Sequence, residues 1–340
     1  MNDTESKPPR VVVAMDFTDD LMDRLRLAAP HYRIERHFPE VPAHVWADTE
    51  ILYTLRTYPD PAQAPHLRWI QLHFAGVDAF INNPLLQVAD IEVTTASGIH
   101  ATQIAEYCLG MMLAFNLQIP RMLRLQAKPE WPREPHKIFA PKPLRGQTVG
   151  IIGYGSIGRE LARITSAMGM RVLASKRNVM HTEEVNAYNE VGTGDPKGEI
   201  PDRIYPAEAL ASMARECDYL VLAAPLTTAS RHAVDAEVLA AMKPNSVIVN
   251  IARGAVIDEK ALVEALQSGR IRGAALDVFE EEPLPLTSPL WKLENVIISP
   301  HISGNTTLYH DKAATLFAEN LKRYAEKRPL LNVLDRKHGY

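Results

Sequence analysis

Three polar positions in the second half of the chain have the residue types that acid–base chemistry on a small carboxylic acid requires. Each follows a short apolar stretch that is typical of a buried strand; the positions are Arg253, the acidic run 280–282 and His301. Ligands bind at the carboxyl ends of the strands in an open α/β sheet, so an arginine, a carboxylate and a histidine would converge there. Histidine suits proton donation near neutral pH, and the planar guanidinium of arginine pairs with a carboxylate through two parallel hydrogen bonds.

Each of these residues also has a simpler explanation when it is taken alone. Arg253 would form a surface ion pair, residues 280–282 would form a solvated acidic turn, and His301 would cap the end of a strand. Their occurrence together, rather than any one of them, favours a catalytic site.

The elements that would position these residues follow a repeating pattern. Short apolar runs alternate with amphipathic stretches, which is typical of βαβ units on parallel sheets. Near the N-terminus the predicted strands are 11–14, 33–37, 51–55, 69–72 and 91–95. A second series has the six strands that a dinucleotide-binding domain needs, at 149–152, 172–174, 219–223, 246–251, 273–277 and 296–298. Helical spacing predicts a bridging helix at 102–117 and a C-terminal helix at 305–323. After the bridging helix, Pro120 and a stretch rich in proline and basic residues predict a loop up to Arg145.

We therefore predict an α/β fold of two doubly wound domains, with a Rossmann dinucleotide-binding domain inserted into a flavodoxin-like substrate domain. The substrate domain would consist of residues 1–101 and 305–340, and the NAD(P)-binding domain of residues 102–304. The long polar insert 178–203 is predicted to be a surface loop.

A glycine-rich motif opens the second series of strands. The apolar run 149–152 leads directly into Gly153-Tyr154-Gly155-Ser156-Ile157-Gly158, and residues 159–168 continue with helical spacing. Gly153 would turn tightly, Gly155 would let the backbone approach a pyrophosphate, and Gly158 would let the helix pack closely on the strand. This context is typical of dinucleotide binding, although an ordinary glycine-rich turn has the same short pattern.

The residues after the second strand of this series bear on the choice of cofactor. NAD-specific sites usually place Asp or Glu about 20 residues beyond the glycine motif, whereas a 2′-phosphate calls for a nearby arginine. Here the corresponding stretch contains Ser175, Lys176 and Arg177 and no acidic residue. We predict that NADP(H) is preferred and that NAD(H) is possible. The alternative is that these charges only begin the solvated insert.

The composition excludes several other classes of protein. The net charge of −4 and the interspersed charges provide no basic cluster for nucleic acid. Cys108 and Cys217 have no second Cys or His at zinc-ligand spacing, so no metal is expected. The longest apolar run, 107–115, is far shorter than the ~20 residues that span a membrane. The polar start 1–9 lacks the apolar core of a signal peptide, so we expect a cytoplasmic protein.

Taken together, these segments resemble the D-isomer-specific 2-hydroxyacid dehydrogenases, which include glyoxylate and hydroxypyruvate reductases and phosphoglycerate dehydrogenases. The resemblance covers nearly the whole chain. Besides the glycine motif it rests on Phe74-Ala75-Gly76-Val77-Asp78, on Ser97-Gly98 through Ala105-Glu106, and on the runs 250–259 and 277–283, all in the family's order.

The resemblance implies hydride transfer between NAD(P)H and a small 2-keto acid or D-2-hydroxy acid. Arg253 would bind the substrate carboxylate, His301 would be the acid/base, and Glu282 would be its carboxylate partner. Physical chemistry supports these roles, because hydride addition to a ketone leaves negative charge on oxygen that a proton donor must neutralise. A carboxylate on the other nitrogen of the histidine fixes the ring and favours the imidazolium form.

The resemblance also implies contacts with substrate and cofactor. The backbone N–H groups of Ala75 and Gly76 would help to hold the carboxylate, and Asp277 would bind the nicotinamide amide. Tyr53 is a candidate for contact with the substrate side chain, and packing within its strand is the alternative. The remaining predicted cofactor contacts are Thr102, Ala224, Pro225, Ile251 and Gly304.

A different class of function is compatible with the same fold. An NAD(P)-sensing regulator or corepressor would bind the cofactor without turnover, and fold resemblance alone does not exclude it. The complete set of Arg253, Glu282 and His301 favours the enzyme. As partners we expect a small 2-keto or 2-hydroxy acid substrate and a second copy of the chain, which would form a homodimer through the cofactor domain.

Overall fold

The computed structural model describes residues 8–77 and 83–339. The chain forms two compact units. The first contains Met1–Ile99, Val185–Asn189 and Thr306–Tyr340, and the second contains His100–Glu184 and Glu190–Asn305. Residues 1–7 of the polar start and Asp78 of the Phe74 motif lie outside the described residues.

Five parallel strands form the sheet of the first unit. They are β1 (Arg10–Ala14), β2 (Arg33–Arg36), β3 (Thr49–Thr54), β4 (Trp69–Leu72) and β5 (Glu92–Thr94). Their spatial order is β2-β1-β3-β4-β5, which is the flavodoxin-like order of a doubly wound domain. Residues 11–13 of β1 are fully buried, as expected for a parallel sheet that is covered on both faces.

Two described helices connect these strands, α1 (Asp19–Ala28) and α2 (Pro84–Gln87). Thr18 caps α1, because its hydroxyl oxygen accepts a hydrogen bond from the backbone N–H of Leu21 at 3.4 Å. Leu21, Met22 and Leu25 recur at helical spacing and are buried in the core beside β1 and β3.

Seven parallel strands form the sheet of the second unit. They are β6 (Thr148–Ile152), β7 (Arg171–Ser175), β8 (Arg203–Tyr205), β9 (Tyr219–Leu222), β10 (Val247–Asn250), β11 (Gly273–Leu276) and β12 (Val296–Ile298). Their order is β12-β11-β10-β9-β6-β7-β8. It contains the Rossmann order with one further strand, β12, at the edge, and together with the first sheet it confirms the predicted fold class.

The sequence analysis missed β8. This strand has three residues at the edge of the sheet, and it begins at Arg203, the last residue of the predicted insert. Three residues are too few for an alternating or continuous apolar pattern to appear, so nothing in the local sequence separates β8 from the loop.

Seven described helices belong to the second unit. They are α3 (Ala101–Asn116), α4 (Ile119–Ala127), α5 (Pro135–Ile138), α6 (Ser156–Ala167), α7 (Leu210–Ala214), α8 (Ala236–Ala241) and α9 (Glu259–Gln267). The sequence analysis read the region after Leu117 as loop because of its prolines, and this was wrong. Pro120 and Pro135 lie in the first turns of α4 and α5, where a missing N–H costs no helical hydrogen bond.

The last helix, α10 (Tyr309–Ala325), belongs to the first unit and begins later than the predicted start at 305. Its fully buried Asn320 donates to Oε1 of Gln71 on β4 at 3.2 Å and to the carbonyl of Leu331 at 3.1 Å. The Leu331 N–H donates back to Oδ1 of Asn320 at 2.8 Å. These bonds attach α10 and the chain after it to the sheet of the first unit.

Within the described ranges, no helix has the length and apolar character needed to cross a bilayer. The same residues contain no group of three His, Cys, Asp or Glu placed to hold a metal ion.

Candidate active site

The candidate site is built on three neighbouring strands of the second unit. β10, β11 and β12 are parallel, and their last residues are in register. Their carboxyl ends therefore lie at one edge of the sheet, and the segments that follow them carry Arg253, Glu282 and His301 respectively. The glycine motif follows β6 and reaches the same edge, because β6 is parallel to these strands.

His301 and Glu282 form a direct pair. Nδ1 of His301 lies 2.7 Å from Oε2 of Glu282, and the two side chains are 49% and 34% exposed. The other carboxylate oxygen of Glu282 accepts a hydrogen bond from the backbone N–H of Phe279 at 3.0 Å, which holds the carboxylate in place. An exposed ion pair adds little stability. Its effect is to fix the imidazole ring and to leave Nε2 as the nitrogen that can exchange a proton with a ligand.

The neighbouring glutamate in the acidic run has a different partner. Oε1 of Glu280 lies 2.9 Å from Nε2 of His232 and accepts from the backbone N–H of Glu259 at 3.4 Å. The run 280–282 is therefore more than a solvated acidic turn, since two of its carboxylates are paired with different histidines.

Asp277 shapes the loop that carries His301. The residue is fully buried, and its Oδ1 accepts from the Ser299 hydroxyl at 2.6 Å and from the Ile302 N–H at 2.8 Å. Its Oδ2 accepts from the Ser303 N–H at 2.8 Å. The backbone N–H of His301 donates to the Asp277 carbonyl at 2.9 Å. Asp277 thus bonds to positions on both sides of His301.

These bonds stabilise an uncommon backbone conformation. The φ angle of His301 is +54°, in the left-handed region that residues with a Cβ seldom adopt. Asp277 was predicted to bind the nicotinamide amide, and that role stays a prediction. What its carboxylate does in the structure is to hold the loop 299–303.

Tyr107 is a positioning residue that the sequence analysis missed. Its hydroxyl lies on α3, 2.6 Å from Oγ of Ser299, which in turn donates to Asp277. Burial raises the pKa of Tyr107 to about 12, so that the phenol stays protonated over the physiological range. The available signal was a single hydroxyl at the start of the apolar run 107–115. Its partner lies 192 residues away in the sequence, and no local pattern connects the two.

Arg253 follows β10 in an extended conformation and is half-buried. Nδ2 of Asn250 donates to the Arg253 carbonyl at 3.1 Å, and Oδ1 of Asn250 accepts from the Ala252 N–H at 3.1 Å. Asn250 thereby fixes the turn that presents the arginine. A Cβ on Gly254 would lie 1.8 Å from the carbonyl carbon of Phe279, so only glycine allows these two segments to approach this closely.

The glycine motif has the geometry that a pyrophosphate needs. Gly153 has a φ angle of +97°, and a Cβ there would lie 2.5 Å from the backbone nitrogen of Ala224. A Cβ on Gly158 would lie 2.3 Å from the Gly153 carbonyl oxygen, which is the close packing of helix on strand. A Cβ on Gly155 would meet nothing within 4 Å among the described residues, so the space next to the start of α6 is open. The residues present fit a dinucleotide.

The residues after β7 have unequal surroundings. Ser175 is buried, Lys176 is half-buried and Arg177 is exposed. Nζ of Lys176 donates to the carbonyl of His181 at 2.6 Å. The insert therefore already binds one of the two cations that the sequence predicts near the 2′-position of the cofactor.

The other predicted cofactor residues also lie in the second unit. Ala224 and Pro225 come directly after β9, and Ile251 comes directly after β10. Oγ1 of Thr102 donates to Oε2 of Glu190 at 3.2 Å. A Cβ on Gly304 would lie 3.0 Å from Cδ2 of His100. Their contacts with a cofactor stay predictions.

The predicted substrate residues Tyr53, Ala75 and Gly76 belong to the first unit. Tyr53 is 1% exposed, its ring packs 4.7 Å from the ring of Phe317, and its hydroxyl is 2.5 Å from Nδ1 of His73. Packing is therefore one role of Tyr53. Ala75 is half-buried and Gly76 is exposed, as backbone N–H groups that receive a ligand must be. Substrate contact by these three residues stays a prediction.

Comparison with known proteins shows the family to which the chain belongs. The family model for the NAD binding domain of D-isomer specific 2-hydroxyacid dehydrogenases matches residues 109–303. A glyoxylate reductase from Aeropyrum pernix is 31% identical, and the match covers 97% of each chain. A D-3-phosphoglycerate dehydrogenase from Methanocaldococcus jannaschii is 36% identical over 72% of this chain, and the match spans 45% of that relative.

Solved structures give the same result at full length. A D-isomer specific 2-hydroxyacid dehydrogenase from Xanthobacter autotrophicus Py2, in complex with NADPH and MES, has a TM-score of 0.79 and 28% identity over 98% of this chain and 100% of that one. An NADPH-dependent glyoxylate/hydroxypyruvate reductase from Sinorhizobium meliloti, in complex with NADP and sulfate, has a TM-score of 0.75 and 26% identity over 97% and 99% of the two chains. The chain belongs to the D-isomer specific 2-hydroxyacid dehydrogenases.

Proposed function

We propose that this protein reduces a small 2-keto acid, of the glyoxylate or hydroxypyruvate kind, to the D-2-hydroxy acid at the expense of NADPH. The observation that carries the proposal is the His301–Glu282 pair, at the sheet edge that also presents Arg253 and the glycine motif. Membership of the family makes the chain an NAD(P)-dependent oxidoreductase. The names of the relatives support the choice of substrate.

In the proposed reaction, the cofactor and three residues of the second unit have separate chemical roles. The reduced nicotinamide of a cofactor held by the glycine motif would supply the hydride for the keto carbon. Nε2 of His301 gives its proton to the keto oxygen, while Glu282 stabilises the imidazolium before transfer. Arg253 pairs with the substrate carboxylate through its forked guanidinium and orients the keto group.

We propose the functional domains as residues 1–101 with 305–340 for the substrate and 102–304 for the cofactor. Tyr53, Ala75 and Gly76 remain our candidates for substrate contact, on the strength of the family resemblance. We also propose a cytoplasmic location, which is supported by the two free, buried cysteines, Cys108 and Cys217.

We propose NADP(H) as the preferred cofactor. Lys176 and Arg177 stand where an NAD-specific site has a carboxylate, and two cations there favour a 2′-phosphate. The NADPH and NADP bound in the related structures support this choice.

The cofactor proposal predicts a wild type that favours NADPH over NADH in kcat/KM on glyoxylate or hydroxypyruvate. In the Lys176→Ala, Arg177→Ala double variant, kcat/KM should fall about 10- to 100-fold with NADPH and little with NADH, because the charge-assisted hydrogen bonds to the phosphate are gone.

The matched control is Arg215→Ala, Lys260→Ala, which removes one arginine and one lysine that are exposed elsewhere in the second unit. A wild type that favours NADH, or a double variant that keeps its NADPH preference, would contradict the proposal. Absence of turnover with every 2-keto acid would favour the NAD(P)-sensing regulator.

We propose that the protein is a homodimer that forms through the second unit. Helix α4 buries none of its residues in the single chain, and the segment around it exposes Leu123 and Trp131 to 58% and 87%. An exposed apolar patch of this kind marks an interface. Sedimentation should give twice the mass of 37.9 kDa for the wild type and the monomer mass for Leu123→Glu. The control Leu286→Glu, at a residue 94% exposed elsewhere in this unit, should leave the dimer intact. A monomeric wild type would refute the proposal.

A further inference from the structure

The insert 178–203 is tied down by a buried arginine. Arg159 follows directly after Gly158 on α6, and its side chain is fully buried. Its two terminal nitrogens donate to the backbone carbonyls of Asp195 and Thr182, both in the insert. Its Nε lies 3.3 Å from Oε1 of Glu184, which is 13% exposed. The insert is therefore a surface loop with a buried ionic anchor, which its polar sequence does not indicate.

The insert also holds the glycine motif. The hydroxyl of Tyr154 donates to Oδ2 of Asp195 at 2.6 Å, and the guanidinium of Arg159 lies 4.7 Å from the centre of the Tyr154 ring. Asp195 further accepts from the N–H groups of Glu199 and Ile200 at 3.1 and 3.0 Å. Burial by itself would raise the pKa of Asp195, but these hydrogen bonds outweigh it and lower the pKa. The carboxylate therefore stays charged and accepts the hydrogen bond from Tyr154.

A third contact lies at Lys176. Its Nζ donates to the carbonyls of His181 at 2.6 Å and Thr182 at 3.5 Å, and the Thr182 carbonyl also accepts from Arg159. Burial and the charge of Arg159 lower the pKa of Lys176. Two cations thus meet at one carbonyl oxygen. Such a pair repels, the carboxylate of Glu184 partly offsets the repulsion, and a dianion bound beside Lys176 would relieve it further.

If the insert only covered the surface of the second unit, its contacts would not be expected to concentrate on predicted cofactor residues. Three of its polar contacts fall on predicted cofactor residues: Glu190 on Thr102, Asp195 on Tyr154, and the 181–182 backbone on Lys176. A lysine has three N–H donors, and among the described residues two insert carbonyls accept from Lys176. The third N–H of Lys176 remains for a phosphate oxygen, and the two bonds to the insert already order the lysine side chain.

We propose that the insert is a specificity element for the cofactor, which holds Lys176 in place to receive a 2′-phosphate and fixes Tyr154 within the glycine motif, with Arg159 as its positioning residue. The inference rests on the proposed preference for NADP(H). Ordering a free lysine side chain costs conformational entropy on binding, and a lysine that the insert has ordered in advance avoids that cost.

The test is the double variant Arg159→Gln, Glu184→Gln, which removes the anchor without leaving an unpaired buried charge. Dissociation constants for NADPH and NADH are measured by titration calorimetry on the full chain. The ratio of the NADH constant to the NADPH constant should fall about tenfold, since the lysine must then be ordered on binding. NADH binding itself should change little. The ratio separates positioning from stability, because a general loss of stability would not change it selectively.

The matched control is Arg171→Gln, Asp202→Asn. This pair also links β7 to the insert, with Nε of Arg171 2.9 Å from Oδ2 of Asp202, but the side chains are 42% and 56% exposed. It should leave the NADH to NADPH ratio unchanged. A wild type without NADPH preference would overturn both this inference and the proposed cofactor. A wild type with that preference, together with a folded double variant that keeps it, would overturn the inference alone.

If the double variant does not fold, Asp195→Asn supplies the test. This substitution keeps the ionic anchor and removes the charge that accepts from Tyr154, Glu199 and Ile200. The ratio should then fall by about threefold, because only part of the network is lost. An unchanged ratio in a folded Asp195→Asn protein would overturn the inference.

Discussion

His301→Asn should lower kcat for 2-keto acid reduction by about 10²-fold or more, as the loss of a general acid does. Asparagine is the right replacement because it tolerates the φ angle of +54° at this position, whereas alanine would add backbone strain. Its amide can still reach Glu282 but has no acidic proton to give. The measurement is steady-state kcat with saturating NADPH, together with the NADPH dissociation constant, which should stay near that of the wild type.

The chain offers a closely matched control in His232→Asn. His232 has a φ angle of +52° and pairs with a glutamate, Glu280, at 2.9 Å, as His301 pairs with Glu282. Its substitution should change kcat by no more than about threefold, because an exposed pair outside the acid/base role contributes little. If His301→Asn turns over at close to the wild-type rate, His301 is not the proton donor.

Arg253→Lys should lower kcat/KM by about 10- to 100-fold although the positive charge is kept, which corresponds to losing one or two charge-assisted hydrogen bonds. An ammonium is a compact point charge and does not reproduce the paired geometry of a guanidinium on a carboxylate. The turn around Arg253 is held by Asn250 and by the close approach at Gly254, so a lysine there would not find a new backbone position. Steady-state kinetics with glyoxylate and hydroxypyruvate measure the effect.

The carboxylate role has a sharper test in substrates without a carboxylate. With a neutral 2-keto amide, wild type and Arg253→Lys should have similar kcat/KM values, because the paired bond is missing in both. Arg231→Lys, at an exposed arginine of the same unit, serves as the control and should match the wild type on both substrates. If Arg253→Lys retains full kcat/KM on the keto acid, or loses equally on the amide, Arg253 does not bind the carboxylate.

The parts of the fold that were predictable have strong local patterns. The five strands of the first sheet and six of the seven in the second were predicted within a few residues of their bounds. Most of them, such as β9 and β10, are mainly apolar runs that are buried on both faces. The missing strand, β8, and the helices α4 and α5 lack such a pattern. In α4 a proline at the start was read as a break, although a proline in the first turn favours a helix.

In the candidate site, too, some side-chain roles were predictable from the sequence and others were not. Arg253, Glu282 and His301 were found from residue type and position after a strand, together with the family resemblance. The family resemblance, and not the residue pattern, distinguished Glu282 from the two neighbouring glutamates, because that choice depends on how the loop after β11 folds. The sequence could not identify the loop-shaping role of Asp277, whose partners come from the loop after the next strand.

By itself, the sequence determined the alternation of strands and helices, the glycine motif and the residues that we propose as the acid/base set, because each depends on residue types within a short stretch of chain. Only the tertiary structure decided that Tyr107 supports Ser299, that Asp277 shapes the His301 loop, and that a buried arginine anchors the insert. The physical reason is that a hydrogen bond needs its two atoms within about 3 Å. For residues far apart in the chain, that distance is set by strand order, helix packing and register, which no local pattern encodes.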